Sequence, residues 1–228
     1  MAEHLNREIE KLKKLILSLS ATVEESVYKA VNALEERSIA LAEEVIRGDT
    51  KIDQMEVDVE EECLKVLALY QPVAIDLRFI IAILKIDNDL ERVGDLAVNI
   101  AERVCFLATR EKHEIQLDFQ EMAEKTQDMF RKSLDSLVNR DVGLAHEVLG
   151  ADDEIDAINR EMYVQIQDAI RKKPEQLESL IHLLSCSRHL ERIADLATNV
   201  AEDVIYMIEG EIVRHGVEDY CSESSDDN

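Results

Sequence analysis

Eight carboxylates of this chain stand in four pairs, each pair one helical turn apart. Asp49 with Asp53, Glu91 with Asp95, Asp152 with Asp156, and Glu191 with Asp195 all follow the pattern (D/E)xxxD, and residues four apart share one face of an α-helix. Carboxylates held this close repel one another unless a cation neutralises them or a proton is shared. An oxygen-only donor set suits Mg²⁺, Mn²⁺ or iron, with Zn²⁺ a poorer match because Cys and His are scarce around the pairs.

The pairs belong to a longer repetition. The stretch LERVGDLAVNIAE from Leu90 to Glu102 returns as LERIADLATNVAE from Leu190 to Glu202. Glu91, Arg92, Asp95, Asn99 and Glu102 are kept at their counterparts, whereas Val93 is answered by Ile193 and Ile100 by Val200. A duplication kept for packing alone drifts the other way. At a helical step of about 100° per residue, Glu91, Asp95, Asn99 and Glu102 form a stripe roughly 80° wide, largely opposite the apolar set Val93, Leu96, Ala97, Ile100 and Val104. One such stripe is what an ordinary solvated face looks like. Two, each with a second acidic pair, point to cation binding, with Asn99 and Asn199 as further oxygen donors. Arg92 and Arg192 are expected to pair with neighbouring acids.

These residues need helices to present them. Apolar spacing from residue 4 to about 46, through Leu12, Ile16, Leu19, Val23, Val27 and Val31, predicts one long helix or two nearly continuous ones. Gly48-Asp49-Thr50 is read as a stop and restart. A second helix runs to Tyr70, before Pro72, and a third covers about 75 to 109. The second half repeats this as 116–149, 152–172 and 175–209, with Arg140 and Leu144 matching Arg37 and Leu41 at an offset of 103. If each second and third helix form an antiparallel hairpin, Asp53 and Asp95 both lie about 31 Å from its turn. Asp156 and Asp195 correspond in the second hairpin. Four carboxylates then meet at one level in each half. The expected fold is all-α, two tandem three-helix bundles over 5–109 and 115–209, joined near 110–114 and followed by an acidic polar tail over 210–228.

Composition narrows the function. Hydrophobic residues make up 46% and aromatics only 4%, as in helices packed through aliphatic side chains. A net charge of −24 repels nucleic acid and anionic lipid. Cys63, Cys105, Cys186 and Cys221 form no CxxC pair and read as reduced, mostly buried thiols. The N-terminus has no secretory pattern and no stretch has the length of a membrane span, so a cytoplasmic protein is expected. His182 and His189 read as surface or cap residues. No nucleophile, triad or phosphate-loop pattern is present, which argues against an enzyme.

With these features in place, the chain resembles the PhoU family, accessory proteins of phosphate-specific transport. The resemblance rests on Glu91-Arg92-Val93-Gly94-Asp95 and Glu191-Arg192-Ile193-Ala194-Asp195, on Gln71-Pro72-Val73-Ala74-Ile75-Asp76-Leu77-Arg78, and on Asn199-Val200-Ala201-Glu202 with Tyr206 and Gly210. It covers about residues 5 to 210. It implies a homodimer, with metal at the (D/E)xxxD pairs: Glu91, Asp95, Glu191 and Asp195, partnered by Asp49, Asp53, Asp152 and Asp156. It also implies negative regulation of the phosphate-starvation response, linking a phosphate ABC transporter to a sensor histidine kinase. Ala194 in place of Gly94 is a departure expected to shift one helix slightly. Two other readings are a carboxylate-bridged di-metal enzyme, disfavoured by the missing Glu-x-x-His pattern, and a metal-free helical scaffold.

Overall fold

A computed structural model of the chain describes residues 2–110 and 119–210. All regular structure among them is helical: α1 Ala2–Glu36, α2 Ile39–Tyr70, α3 Ala74–Ala108, α4 Phe119–Asn139, α5 Val142–Lys172 and α6 Leu177–Glu209, with a single 3₁₀ turn at Pro174–Gln176 before α6. This is the expected pair of three-helix bundles. The linker expected at 110–114 falls outside the described residues except for Arg110, and the acidic tail does so except for Gly210.

The apolar periodicity read from the sequence is the buried one. Leu12, Ile16, Leu19, Val23, Val27, Val93, Ala97, Ile100 and Val104 are all buried. The two bundles are not separate bodies, because one continuous core draws residues from all six helices. Their junction is α3 against α6. Lys85 of α3 meets Asp203 of α6 at 3.0 Å, while Arg103 of α3 acts on His182 and His189 of α6. The two helices therefore run antiparallel. Exchanging the halves, at the offset of 100, maps the contact of 85 with 203 onto 185 with 103, so a pseudo-twofold relates the bundles. Burial follows it: the pattern over 91–100 is the same, position by position, as over 191–200.

Glu62 ties α1 to α2. Burial by itself would raise its carboxyl, but hydrogen bonds from Lys11 and Lys65 outweigh this and hold it down to about 2.

The helix boundaries correct the sequence reading in both halves. The first break falls at Arg37-Ser38 and not at Gly48; the second falls at Arg140-Asp141 and not near 150. Asp49 and Asp152 are thus interior to α2 and α5. Arg37 and Arg140 take the left-handed conformation, φ 55° and 53°, that glycine usually supplies at a helix end. The amides of Ser38 and Asp141 donate back to the carbonyls of Ala33 and Ser136, each at 3.0 Å. The side chains of Ser38 and Asp141 then cap the next helix, accepting from the amides of Leu41 and Leu144. Tertiary contact compensates the unusual backbone of Arg37: its guanidinium donates to the Leu107 and Arg110 carbonyls at the end of α3.

Gly48 and Gly150 lie exposed inside helices, and a methyl group at either would meet nothing within 4 Å. Gly48→Ala and Gly150→Ala should therefore each stabilise the fold by up to about 1 kcal/mol, measured by urea unfolding. Were these glycines the helix ends, the same changes would destabilise it. Asp141→Ala should cost about 1 kcal/mol through loss of its cap.

Candidate metal centres

The two hairpins, α2 with α3 and α5 with α6, place the acidic pairs. In the first hairpin the approach is close at Gly94, where an added Cβ would sit 3.2 Å from Ile52 Cγ2 and 3.7 Å from Asp49 Oδ1. Ile52 is buried, so its packing against Gly94 carries the neighbouring carboxylates of α2 up to α3. The result is a station made by Asp49, Asp53, Glu91 and Asp95. Burial, then Asp53 and Asp95, push the Asp49 carboxyl above its ordinary range. Glu91 is likewise raised by burial, then by Asp95, Glu56, Asp53 and Asp49. Four carboxylates share one level, as equal distances from the hairpin turn require.

The second station repeats this. Asp152 is pushed up to about 6 by burial and then by Asp195, Asp156 and Asp153. Glu191 rises through burial, Asp195 and Asp156. Asp195 rises through burial and Asp156, with Arg192 opposing. Ala194, fully buried, stands where the first half has Gly94, and the station forms around it nonetheless.

Other expected members lie differently. Asn99 donates its amide to the Asp95 carbonyl of its own helix at 2.8 Å. Asn199 lines a cleft of about 550 Å³ between α3 and α6, together with Lys85, Asn88, Asp89, Arg92 and Glu202. Arg92 pairs with Asp89 at 3.5 Å. His182 and His189 are half-buried rather than surface residues. The His182 ring stacks on Phe106 with centroids 3.9 Å apart. Burial, then Arg103, Arg192 and Arg188, lower the His189 imidazole to about 4.

Asp87 was not legible as part of the acidic group. It is 2% exposed, its Oδ1 has no hydrogen-bond partner, and burial, then Glu56, Glu60 and Glu91, push it up to about 8. Its signal was present, since Glu56 with Glu60 and Asp87 with Glu91 are also one turn apart. The repeat concealed it: the corresponding second-half positions are Asn159, Tyr163 and Ser187.

The donor chemistry fits a hard cation, since each station holds several partly desolvated carboxylates that raise one another and lacks a basic partner of equal number. The ligating geometry is not preformed. Among the described residues, no three carboxylate, imidazole or thiol groups converge on one point.

Comparison with known proteins places this architecture. The PhoU domain model matches twice, at residues 16–104 and 119–204. A curated relative from Aquifex aeolicus, named phosphate-specific transport system accessory protein PhoU homolog, is 41% identical over 92% of this chain and 96% of its own length. The crystal structure of PhoU from Pseudomonas aeruginosa superposes with a TM-score of 0.88 at 34% identity, covering 90% of this chain and 99% of that one. The phosphate transport system regulatory protein PhoU from Streptococcus pneumoniae gives 0.82 at 29% identity, covering 92% and 99%. With its six helices, its pseudo-twofold and both of its repeats matched, the chain belongs to the PhoU family.

Proposed function

We propose that this protein is a non-enzymatic regulatory adaptor of phosphate uptake whose two carboxylate stations bind metal. The observation that carries the regulatory part is the match to phosphate transport accessory proteins over nearly the whole chain. Among the described residues no helix is long and apolar enough to cross a membrane, consistent with a cytoplasmic adaptor that docks on membrane-protein domains. The family resemblance supplies the partners, a phosphate ABC transporter and a sensor histidine kinase, along with the negative sign of the regulation and the homodimer.

The metal part rests on electrostatics. Asp49, Asp53, Glu91 and Asp95 on one hairpin, and Asp152, Asp156, Glu191 and Asp195 on the other, would hold a divalent or trivalent ion such as iron, Zn²⁺, Mg²⁺ or Mn²⁺. The ion would supply positive charge that the local side chains do not. Asp95 and Asp195 are exposed, which suits an exchangeable or partner-facing ion better than water-excluded chemistry.

Metal content after chelator-free purification tests this directly. Stoichiometric metal is expected in the wild type, and its loss is expected in the Asp95→Ala, Asp195→Ala double variant with helicity intact; no metal in either would remove the metal part while leaving the adaptor role. If the ions present the docking surface, the same variant should also lose binding to the cytoplasmic domains of the transporter.

Titration gives a second test. A carboxyl held near 6 when folded and near 4 when unfolded leaves the native state binding more protons in that window, so stability falls as pH rises through it. In metal-free protein at pH 7, Asp152→Asn should therefore stabilise by about 1 kcal/mol after allowance for solvent screening. The gain should vanish below about pH 4, where the acid is protonated in both states, and should also shrink when a divalent cation is added. A destabilised variant at pH 7 would contradict the repulsion.

A further inference from the structure

The pseudo-twofold exposes a charge that the chain does not balance. On one side of the junction, Lys85 donates to Asp203 at 3.0 Å, and the Asp203 side chain is 2% exposed. At the related positions stand Ser185 for Lys85 and Arg103 for Asp203. The cation has moved to the other helix, and the carboxylate is gone. Among the described residues, Arg103 makes no hydrogen bond or ion pair, although it is half-buried.

Its surroundings do not replace the missing anion. Where the first side has Asn88 and Asp89, the second has Arg188 and His189. The charged groups acting on His189 are Arg103, Arg192 and Arg188, all cationic. Those acting on His182 are Arg103 and Glu178, and Glu178 is itself paired with Arg110 at 3.2 Å. Arg110 in turn lies over the Phe106 ring, 5.0 Å from its centroid, and the opposite face of the site is closed by the stack of Phe106 on His182.

Polar capacity is also left unused. His182 Nδ1 and both ring nitrogens of His189 are buried without a hydrogen-bond partner. Buried polar atoms are rarely left so. His182, Cys186 and His189 share a helix face at the spacing of a soft-metal set, but Cys186 is fully buried with its thiol pushed up to about 12. A second cation beside Arg103 would be repelled. The unmet need is negative charge with several acceptor oxygens.

We propose that the junction of α3 and α6 binds a tetrahedral oxyanion, inorganic phosphate, between Arg103 and the imidazoles of His182 and His189. Arg103 supplies a guanidinium fork matched to two phosphate oxygens, and each neutral imidazole supplies one N–H. The oxyanion takes the place that the Asp203 carboxylate fills on the related side. The net charge of −24 does not forbid this, because acids more than about 8 Å away are largely screened at physiological salt. The site is separate from the carboxylate stations and needs no metal.

The test is a titration of the full, chelator-treated chain with inorganic phosphate at constant ionic strength, read by calorimetry and by the ring resonances of the histidines. Saturable shifts of both the His182 and His189 rings are expected. Arg103→Gln, shown to keep its helicity, should bind at least tenfold more weakly, while Arg92→Gln on the related cleft should stay within about twofold of wild type. Shifts that never saturate, saturable shifts that spare both rings, or equal affinity in Arg103→Gln would overturn the proposal. The ring shifts of the wild type decide the matter even if a variant fails to fold.

Discussion

The antiparallel contact of α3 with α6 is the constraint on which the rest of the molecule depends. Each of these helices is the third of its bundle, and each buries an almost unbroken aliphatic face that its own bundle does not cover alone. Joining the two faces gives one core in place of two small ones, so more apolar surface leaves water than either half would remove by itself. Helices α2 and α5 then lie on the outer flanks of the central pair. Their acidic pairs meet those of α3 and α6 without entering the shared core.

This arrangement concentrates like charge where solvent can only partly screen it. Asp49, Glu91, Asp152, Glu191 and Asp195 are all raised, with burial the first cause and neighbouring carboxylates the next. A surface needed only for solubility would spread its acids and interleave them with Lys and Arg. The chain does so elsewhere, as in the pairs of Lys29 with Glu25 and Lys125 with Glu154. The stations keep their repulsion, which is the signature of a site built for a charge that comes from outside the chain. The junction near Arg103 shows the opposite sign of the same device.

The repeat made most of this readable and also misled. Because Glu91, Asp95, Glu191 and Asp195 recur with their flanking residues, the carboxylate stations and their common level could be drawn from residue counts. Because Asp87 does not recur, the same criterion passed over the most deeply buried acid of the first station. The helix breaks were misread for a different reason. Gly48 offers backbone freedom that the fold does not use, whereas Arg37 accepts a left-handed backbone because its side chain completes the hydrogen bonding at the end of α3. Such compensation joins residues about seventy positions apart and leaves no local mark.

What the sequence determined by itself was therefore periodic: helices, their inward faces, the duplication, and the pairing of acids one turn apart, all of which follow from the fixed pitch of the α-helix. What the tertiary structure alone decided was which residues confront one another across helices. Asp203 answers Lys85, nothing in the chain answers Arg103, and His182 and His189 turn from surface residues into half-buried neighbours of a cation. Those outcomes depend on the crossing and register of α3 against α6, which are set by packing along the whole interface rather than by any short stretch of residues.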